Sequence, residues 1–197
     1  MSNPLEPEKL LENSLTWKDL AMRKPITVTA GHSDVDLGAI YNNVSEGPLV
    51  RDLREQVAAR LRLQGCTVRT DGTGLVNLPL VEAMRLVWGS GVAVEFHTNA
   101  SENILATGVE VFAAPAQKQK AQRLASIIAS VLRIPLRGDL GYQNEAQSAR
   151  GRLGFVRMGG MVVELFFLSN TADYGKYENS KGSLADAIAK CLVDISS

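Results

Sequence analysis

From Pro25 onward, short β-rich runs alternate with segments whose apolar residues recur at helical spacing. A chain patterned this way has few arrangements that bury both kinds of surface, and the common one layers helices over a central, largely parallel sheet. PITVTA, CTVRT, VAVEFH, GVEVFAA, LGFVR and MVVELFF read as strands. Leu49, Leu53, Val57 and Leu61 recur every four residues, which predicts a helix over PLVRDLREQVAARLRLQG with Pro48 in its first turn and Gly65 just past its end. Further helices are expected at NLPLVEAMRLVW, at AQKQKAQRLASIIASVLR and at SLADAIAKCLVDI, the last with Ser183 as N-cap. Arg137 to Arg152 has no clean period and reads as a surface loop of the length that often carries function. The expectation is a single-domain α/β sandwich with a central mixed, largely parallel sheet flanked by helices. Residues 25–197 would form it, and residues 1–24 would be an N-terminal extension, either a packed arm or a partner-binding segment.

At 197 residues the chain can bury one sizeable core. Its 21 basic and 21 acidic residues cancel and are interspersed, so the footprint of a nucleic-acid or anionic-membrane binder is missing. The longest apolar runs, such as MVVELFFL, are too short to span a bilayer. The N-terminus carries acidic residues where a signal peptide would be basic and then apolar, so synthesis in the cytoplasm without an export signal is expected. Cys66 and Cys191 are the only cysteines; both fit buried thiols, and no disulfide framework or cysteine metal knuckle is available.

Histidine is scarcer still. His32 follows the first expected strand and His97 closes the third, and parallel strands deliver their C-terminal ends to one edge of a sheet. Glu46 lies on the loop leaving His32, just before the first expected helix. Two imidazoles and a carboxylate with a fourth position open make the ligand set of a catalytic zinc. Glu164 stands within MVVELFFLSN, a strand too apolar to hold an unpaired carboxylate cheaply, and a glutamate at the edge of such a site could serve as general base. The residues taken singly also fit blander roles: each histidine as an ordinary polar strand end, and Glu164 buried against an arginine such as Arg157. No compact HExxH signature decides between these readings.

Four segments, in order, resemble motifs of the zinc-dependent N-acetylmuramoyl-L-alanine amidases of the amidase type 3 family. GHSDVDLGA matches that family's GHGG-x-DPGA-like motif through His32, Asp36, Gly38 and Ala39. Glu46 in SEGPLVRDL matches its ligand glutamate, VEFHTN its SxHxN strand end through His97 and Asn99, and VVELFFLSN its VElgFlSN-like strand through Glu164, Phe167, Ser169 and Asn170. The resemblance spans roughly residues 26 to 192. It implies that His32, Glu46 and His97 bind one Zn2+ and that Glu164 is the base and later the proton donor. The substrate it implies is peptidoglycan, cut at the amide between N-acetylmuramic acid and L-alanine. Ser33, Asp34 and Leu37 depart from the motif, and Glu95 stands where the family commonly has serine. Glu95 shares a strand face with His97, which makes it either a partner of that ligand or half of a salt bridge on the sheet.

The interval from His97 to Glu164 leaves no room for a large autoinhibitory insert, and no wall-binding repeat is recognisable. Both features look like a phage lysis enzyme acting as a monomer after a separate protein permeabilises the membrane. A virion-associated or secreted lysin comes next. Substrate contacts are expected from Asn42, Asn43, Tyr142, Asn144 and Arg150. Two rivals are a zinc carboxypeptidase or amidohydrolase, for which Arg137, Arg150 or Arg152 would hold a terminal carboxylate, and a catalytically silent wall-binding or virion structural protein.

Overall fold

The structure, a computed structural model, describes residues 24–33, 35–74 and 76–196, so the expected N-terminal extension, apart from Lys24, and Asp34 lie outside the described residues. In chain order the strands are β1 (Ile26–Ala30), β2 (Ile40–Tyr41), β3 (Val44–Ser45), β4 (Val68–Arg69), β5 (Val92–Asn99), β6 (Glu110–Phe112), β7 (Tyr142–Gln143) and β8 (Met161–Phe167). The helices are α1 (Glu46–Leu63), α2 (Leu80–Val87), α3 (Lys118–Leu132), α4 (Gly154–Arg157) and α5 (Thr171–Ile195). Six strands make one sheet in the spatial order β4, β1, β5, β8, β6, β7, while β2 and β3 form a separate hairpin. The first four run parallel, and β6 runs antiparallel to β8 with β7 parallel to β6. This is the mixed, largely parallel sheet that the alternating pattern predicts.

Strand parity divides the sheet into two unequal faces. Val28, Val94, Phe96, Val111, Val163 and Leu165 enter the main core, which α1, α3 and α5 cover. Residues of the other parity, among them Ala93, Phe112 and Val162, meet only α2 and α4 through Ala83, Val87, Phe155 and Val156. On β5 that parity continues as Glu95 and His97. Register pairs His97 with Glu164 and Glu164 with Glu110, so three polar side chains stand in one row across β5, β8 and β6 on the thinly covered face. Just beyond the row, His97 to Asn99 on β5 spans two steps and Glu164 to Phe167 on β8 spans three, a bulge in β8. Leu165 and Phe166 are both fully buried as a result, and the face is resumed by Phe167.

Several elements differ from their sequence reading. LGFVR is not a strand: Gly154–Arg157 forms the short α4, because Phe155 and Val156 are buried under the sheet. Its turn closes through Gly160 N–H donating to the Phe155 carbonyl (3.0 Å), where a Cβ at position 160 would lie 2.3 Å from the Phe155 ring. The last helix begins at Thr171, twelve positions before the expected Ser183. Asn170 caps it, its side chain accepting from the N–H groups of Ala172 and Asp173, and Tyr177 anchors the added turns by stacking on Phe166 (4.9 Å) and donating to the Leu49 carbonyl (3.2 Å). Helix α1 starts at Glu46 rather than Pro48. Within the expected loop from Arg137 to Arg152, β7 and a 3-10 turn at Glu145–Gln147 are ordered.

Candidate active site

Glu46 enters the site because the β2–β3 hairpin ends directly in α1, which sets its carboxylate in the first helical turn at the strand-end edge, only 1% exposed. Oε1 accepts from the Thr98 N–H (2.9 Å) and lies 3.0 Å from His97 Nδ1. Oε2 accepts from the Ala39 N–H (3.0 Å) and lies 3.0 Å from His32 Nε2. The remaining ring nitrogens are also engaged: His32 Nδ1 lies 2.9 Å from Asp36 Oδ2, and His97 Nε2 lies 3.2 Å from Glu95 Oε2. Each imidazole therefore turns one nitrogen toward Glu46 and the other toward a second carboxylate.

Backbone shape makes room for the rings. A Cβ at Gly31 would lie 2.0 Å from His97 Cε1, and one at Gly38 would lie 2.6 Å from both Glu46 Oε2 and His32 Nε2, so neither glycine tolerates a side chain. His32 itself adopts a left-handed backbone (φ 69°), unusual for a residue with a Cβ. Asn77 Nδ2 braces it by donating to the carbonyls of Ala30 (2.9 Å) and His32.

The charges follow from the same contacts. Burial alone would lower His97, but its bonds to Glu46 and Glu95 hold it up to about 10; His32 is raised in the same way, by Glu46 and Asp36 against burial. Burial would raise Glu46, yet the two imidazoles hold it well below the usual carboxylate range. Burial pushes Glu164 up to about 7 against the pull of His97. Arg157, the partner offered by the blander reading of Glu164, instead pairs with Glu145 (3.1 Å).

One nitrogen from each ring and one Glu46 oxygen all lie within 4.8 Å of one another. His32 Nε2, although close to Glu46, has no hydrogen-bond geometry to any partner among the described residues, and neither has Glu164 Oε2. Buried polar atoms without partners are rare and call for an explanation. A cation held by His32, Glu46 and His97 would supply one for the imidazole. With Nδ1–H of His32 donated to Asp36 and Nε2–H of His97 donated to Glu95, the two inner nitrogens are the ones left free to ligate. Two nitrogens and one oxygen with an open position fit zinc in a catalytic setting.

The cluster opens into a cleft of about 1040 Å³ whose lining includes Asn99, Arg137, Arg150 and Arg152 as well as Glu164. Asn42, Asn43, Tyr142 and Asn144, expected to touch substrate, are not part of that lining. Asn42 and Asn43 form the exposed tip of the β2–β3 hairpin with positive φ, the Tyr142 ring is buried in the main core under Lys118, and Asn144 caps the 3-10 turn. Asn99 does line the cleft, but its amide is committed to Glu110 Oε1 (2.7 Å), whose other oxygen accepts from Arg137 (3.1 Å) and Gln143 (3.2 Å). Sequence reading missed this Glu110 cluster, although the signal that singled out Glu164, a carboxylate inside an apolar strand, is present in GVEVFAA as well.

The profile of one protein family, described as N-acetylmuramoyl-L-alanine amidase (Amidase_3), matches residues 26–194. The chain belongs to the Amidase_3 family. The matched span contains His32, Glu46, His97 and Glu164, and membership makes this a peptidoglycan amidase by family. A search of curated proteins finds no match. Among solved structures, an Amidase_3-like neighbour is a protein from Neisseria meningitidis assigned as an N-acetylmuramoyl-L-alanine amidase, 40% identical, with 87% of this chain and 94% of that one covered at a TM-score of 0.81. The catalytic domain of CwlV, an N-acetylmuramoyl-L-alanine amidase from Bacillus (Paenibacillus) polymyxa var. colistinus, is 20% identical over 87% of this chain and 97% of its own, with a TM-score of 0.75. The catalytic domain of the CD27L endolysin, which targets Clostridia difficile, is 22% identical over 87% and 97%, with a TM-score of 0.64. At such identities these last two share the fold of this Amidase_3 member. None of its described helices is long and apolar enough to cross a membrane.

Proposed function

We propose that the chain hydrolyses the amide joining the lactyl group of N-acetylmuramic acid to the L-alanine of the peptide stem, with one zinc ion held by His32, Glu46 and His97. The observation that carries this reading is the convergence of those three side chains beside Glu164, in a row of polar residues on the open face of an Amidase_3 sheet. When bound, zinc would supply Lewis-acid polarisation of the carbonyl and make water a stronger acid. Asp36 and Glu95 orient the two imidazoles. Glu164, desolvated and raised toward neutrality, takes a proton from the attacking water as its oxygen bonds to the carbonyl carbon. As the C–N bond breaks, Glu164 returns that proton to the departing alanine nitrogen, leaving a lactyl carboxylate and a free amine.

We also propose phage lysis as the setting. Support comes from the whole interval between His97 and Glu164, which is taken up by β6, α3, β7, α4 and their loops around a cleft that stays open. Such a site can attack the wall as soon as it reaches it.

The test is mass spectrometry of soluble products after purified sacculi are digested by zinc-loaded protein, with Glu164→Ala in parallel. Stem peptides beginning with free L-alanine, absent from the variant digest, are expected. Cleavage within the stem would make the protein a zinc peptidase instead, and no products from metal-loaded protein would favour a binding role.

A further inference from the structure

The segment from Asn144 to Leu153 forms one side of the cleft and is braced at its base. Asn144 and Gln147 cap each other, and the Glu145 carboxylate accepts from the Leu153 N–H (3.2 Å) and from Arg157 (3.1 Å). Inside this loop the Arg150 N–H donates to Ser148 Oγ (3.2 Å), and Gly151, with φ of 69°, turns the chain between Arg150 and Arg152. Both arginines line the cleft.

Elsewhere around the cleft, charge is already matched. Glu46 and Glu95 serve the imidazoles, and Glu110 holds Asn99, Arg137 and Gln143. Arg137 also lies over the Phe167 ring (4.8 Å). Among the described residues, by contrast, no hydrogen bond or ion pair is made by the Arg150 guanidinium, and the residue is exposed. Its charge nevertheless reaches the site: it adds to the hydrogen bonds from His32 and Gly38 that lower Asp36, and it offsets part of the burial that raises Glu164. The guanidinium thus shares the cleft with both carboxylates and, among the described residues, bonds to neither.

That placement decides what it can do. Arg150 stands on the loop wall of the cleft and Glu164 on the sheet that forms its floor. A planar guanidinium with its donors unused is matched by a planar carboxylate, which it can bind through two parallel hydrogen bonds. In peptidoglycan the residue that follows L-alanine carries a carboxyl group, either free or amidated. We propose that Arg150, with Arg152 beside it, forms a subsite for that free carboxylate, so that the enzyme selects acidic stems over amidated ones. This rests on the amidase reading above and adds a substrate preference to it.

The test uses two soluble muramyl peptides that differ only in this group, free acid or carboxamide, and compares kcat/KM for the zinc-loaded wild type, Arg150→Gln and Arg150→Lys. A charge-assisted pair of this kind predicts a preference for the acid of roughly tenfold or more in the wild type. The ratio falls to about one in Arg150→Gln, mainly through KM, and is partly kept in Arg150→Lys. A wild type that cleaves both peptides equally well overturns the subsite alone, as does an Arg150→Gln ratio equal to that of the wild type. An equal loss of kcat on both peptides overturns it too, by moving Arg150 to the reacting group. A wild type that cleaves the muramyl amide of neither peptide overturns the amidase reading and the subsite with it.

Discussion

Two buried polar clusters lie a few residues apart in this fold, and they are finished differently. Under the loop between β4 and α2, Arg54 is fully buried. Its guanidinium bonds to Glu55 (3.1 Å), Asp71 (3.1 Å), Asn77 (2.5 Å) and the carbonyls of Gly74 (2.8 Å) and Val76 (3.2 Å). Asp71 in turn accepts from the Ala30 N–H, and Asn77 donates to the Ala30 and His32 carbonyls. The guanidinium finds all its partners inside the protein. In the second cluster, His32 Nε2 and Glu164 Oε2 are buried without a hydrogen-bond partner among the described residues. A satisfied network holds shape, and an unsatisfied one leaves polar atoms for chemistry or for a further partner. Here the closed cluster grips the backbone that presents His32 to the open one.

If that division is right, mutations in the two clusters should separate function from stability. Glu164→Ala is expected to lower hydrolysis by about 10²–10⁴-fold while zinc stays bound and the thermal midpoint is unchanged, as judged by product release and metal analysis; retention of wild-type turnover would remove the assigned base. In the wild type the same residue should make kcat/KM rise with pH as its carboxyl ionises, with a midpoint no higher than about 7 because a bound cation pulls it down. A flat profile across that range would assign the proton transfer to another group. Arg54→Leu attacks the closed cluster, stranding Asp71 in the interior, and should destabilise the fold by about 3–5 kcal/mol in urea titration. Wild-type stability there would mean the network is ornamental.

Glu95→Gln sharpens the contrast from the other side. Weakening the partner of His97 Nε2 should loosen zinc about 10–100-fold by competition with a chelator while leaving unfolding nearly unchanged. An unaltered zinc affinity would return Glu95 to a mere sheet-face contact. The smallest effect is expected at Arg60→Ala, which breaks a largely exposed pair with Asp186 joining α1 to α5. Less than about 1 kcal/mol should be lost there, and a larger loss would place structural weight outside both clusters.

The open cluster was legible in the sequence largely because its residues break local expectation. Two histidines in a histidine-poor chain both follow apolar runs, and a glutamate interrupts MVVELFF. Period-2 alternation also puts Glu95 and His97 on one face, where the structure has them 3.2 Å apart. The closed cluster was hidden, since an arginine in RDLREQ on an amphipathic helix reads as solvent-facing, and only the loop folding over it reveals otherwise. The bulge in β8 was equally invisible, because strict alternation would have sent Phe166 rather than Phe167 to the cleft. The first half of α5 was missed because Gly175, Gly182 and many polar residues mask a segment held by Asn170 and Tyr177. In LGFVR, burial against the second core overrode β propensity.

The parallel pairing of β1, β5 and β8 also sets a timetable. Their pairing joins segments far apart in the chain, and these strands with the residues just past β1 and the start of α1 supply His32, Glu46, His97 and Glu164. Contacts of that range form late, after the loops between them have closed. His32 and Glu46 lie close in the chain and meet through the β2–β3 hairpin, whereas His97 and Glu164 join them only once β5 and β8 have paired with β1. A chain caught partway through folding would be inert toward the wall.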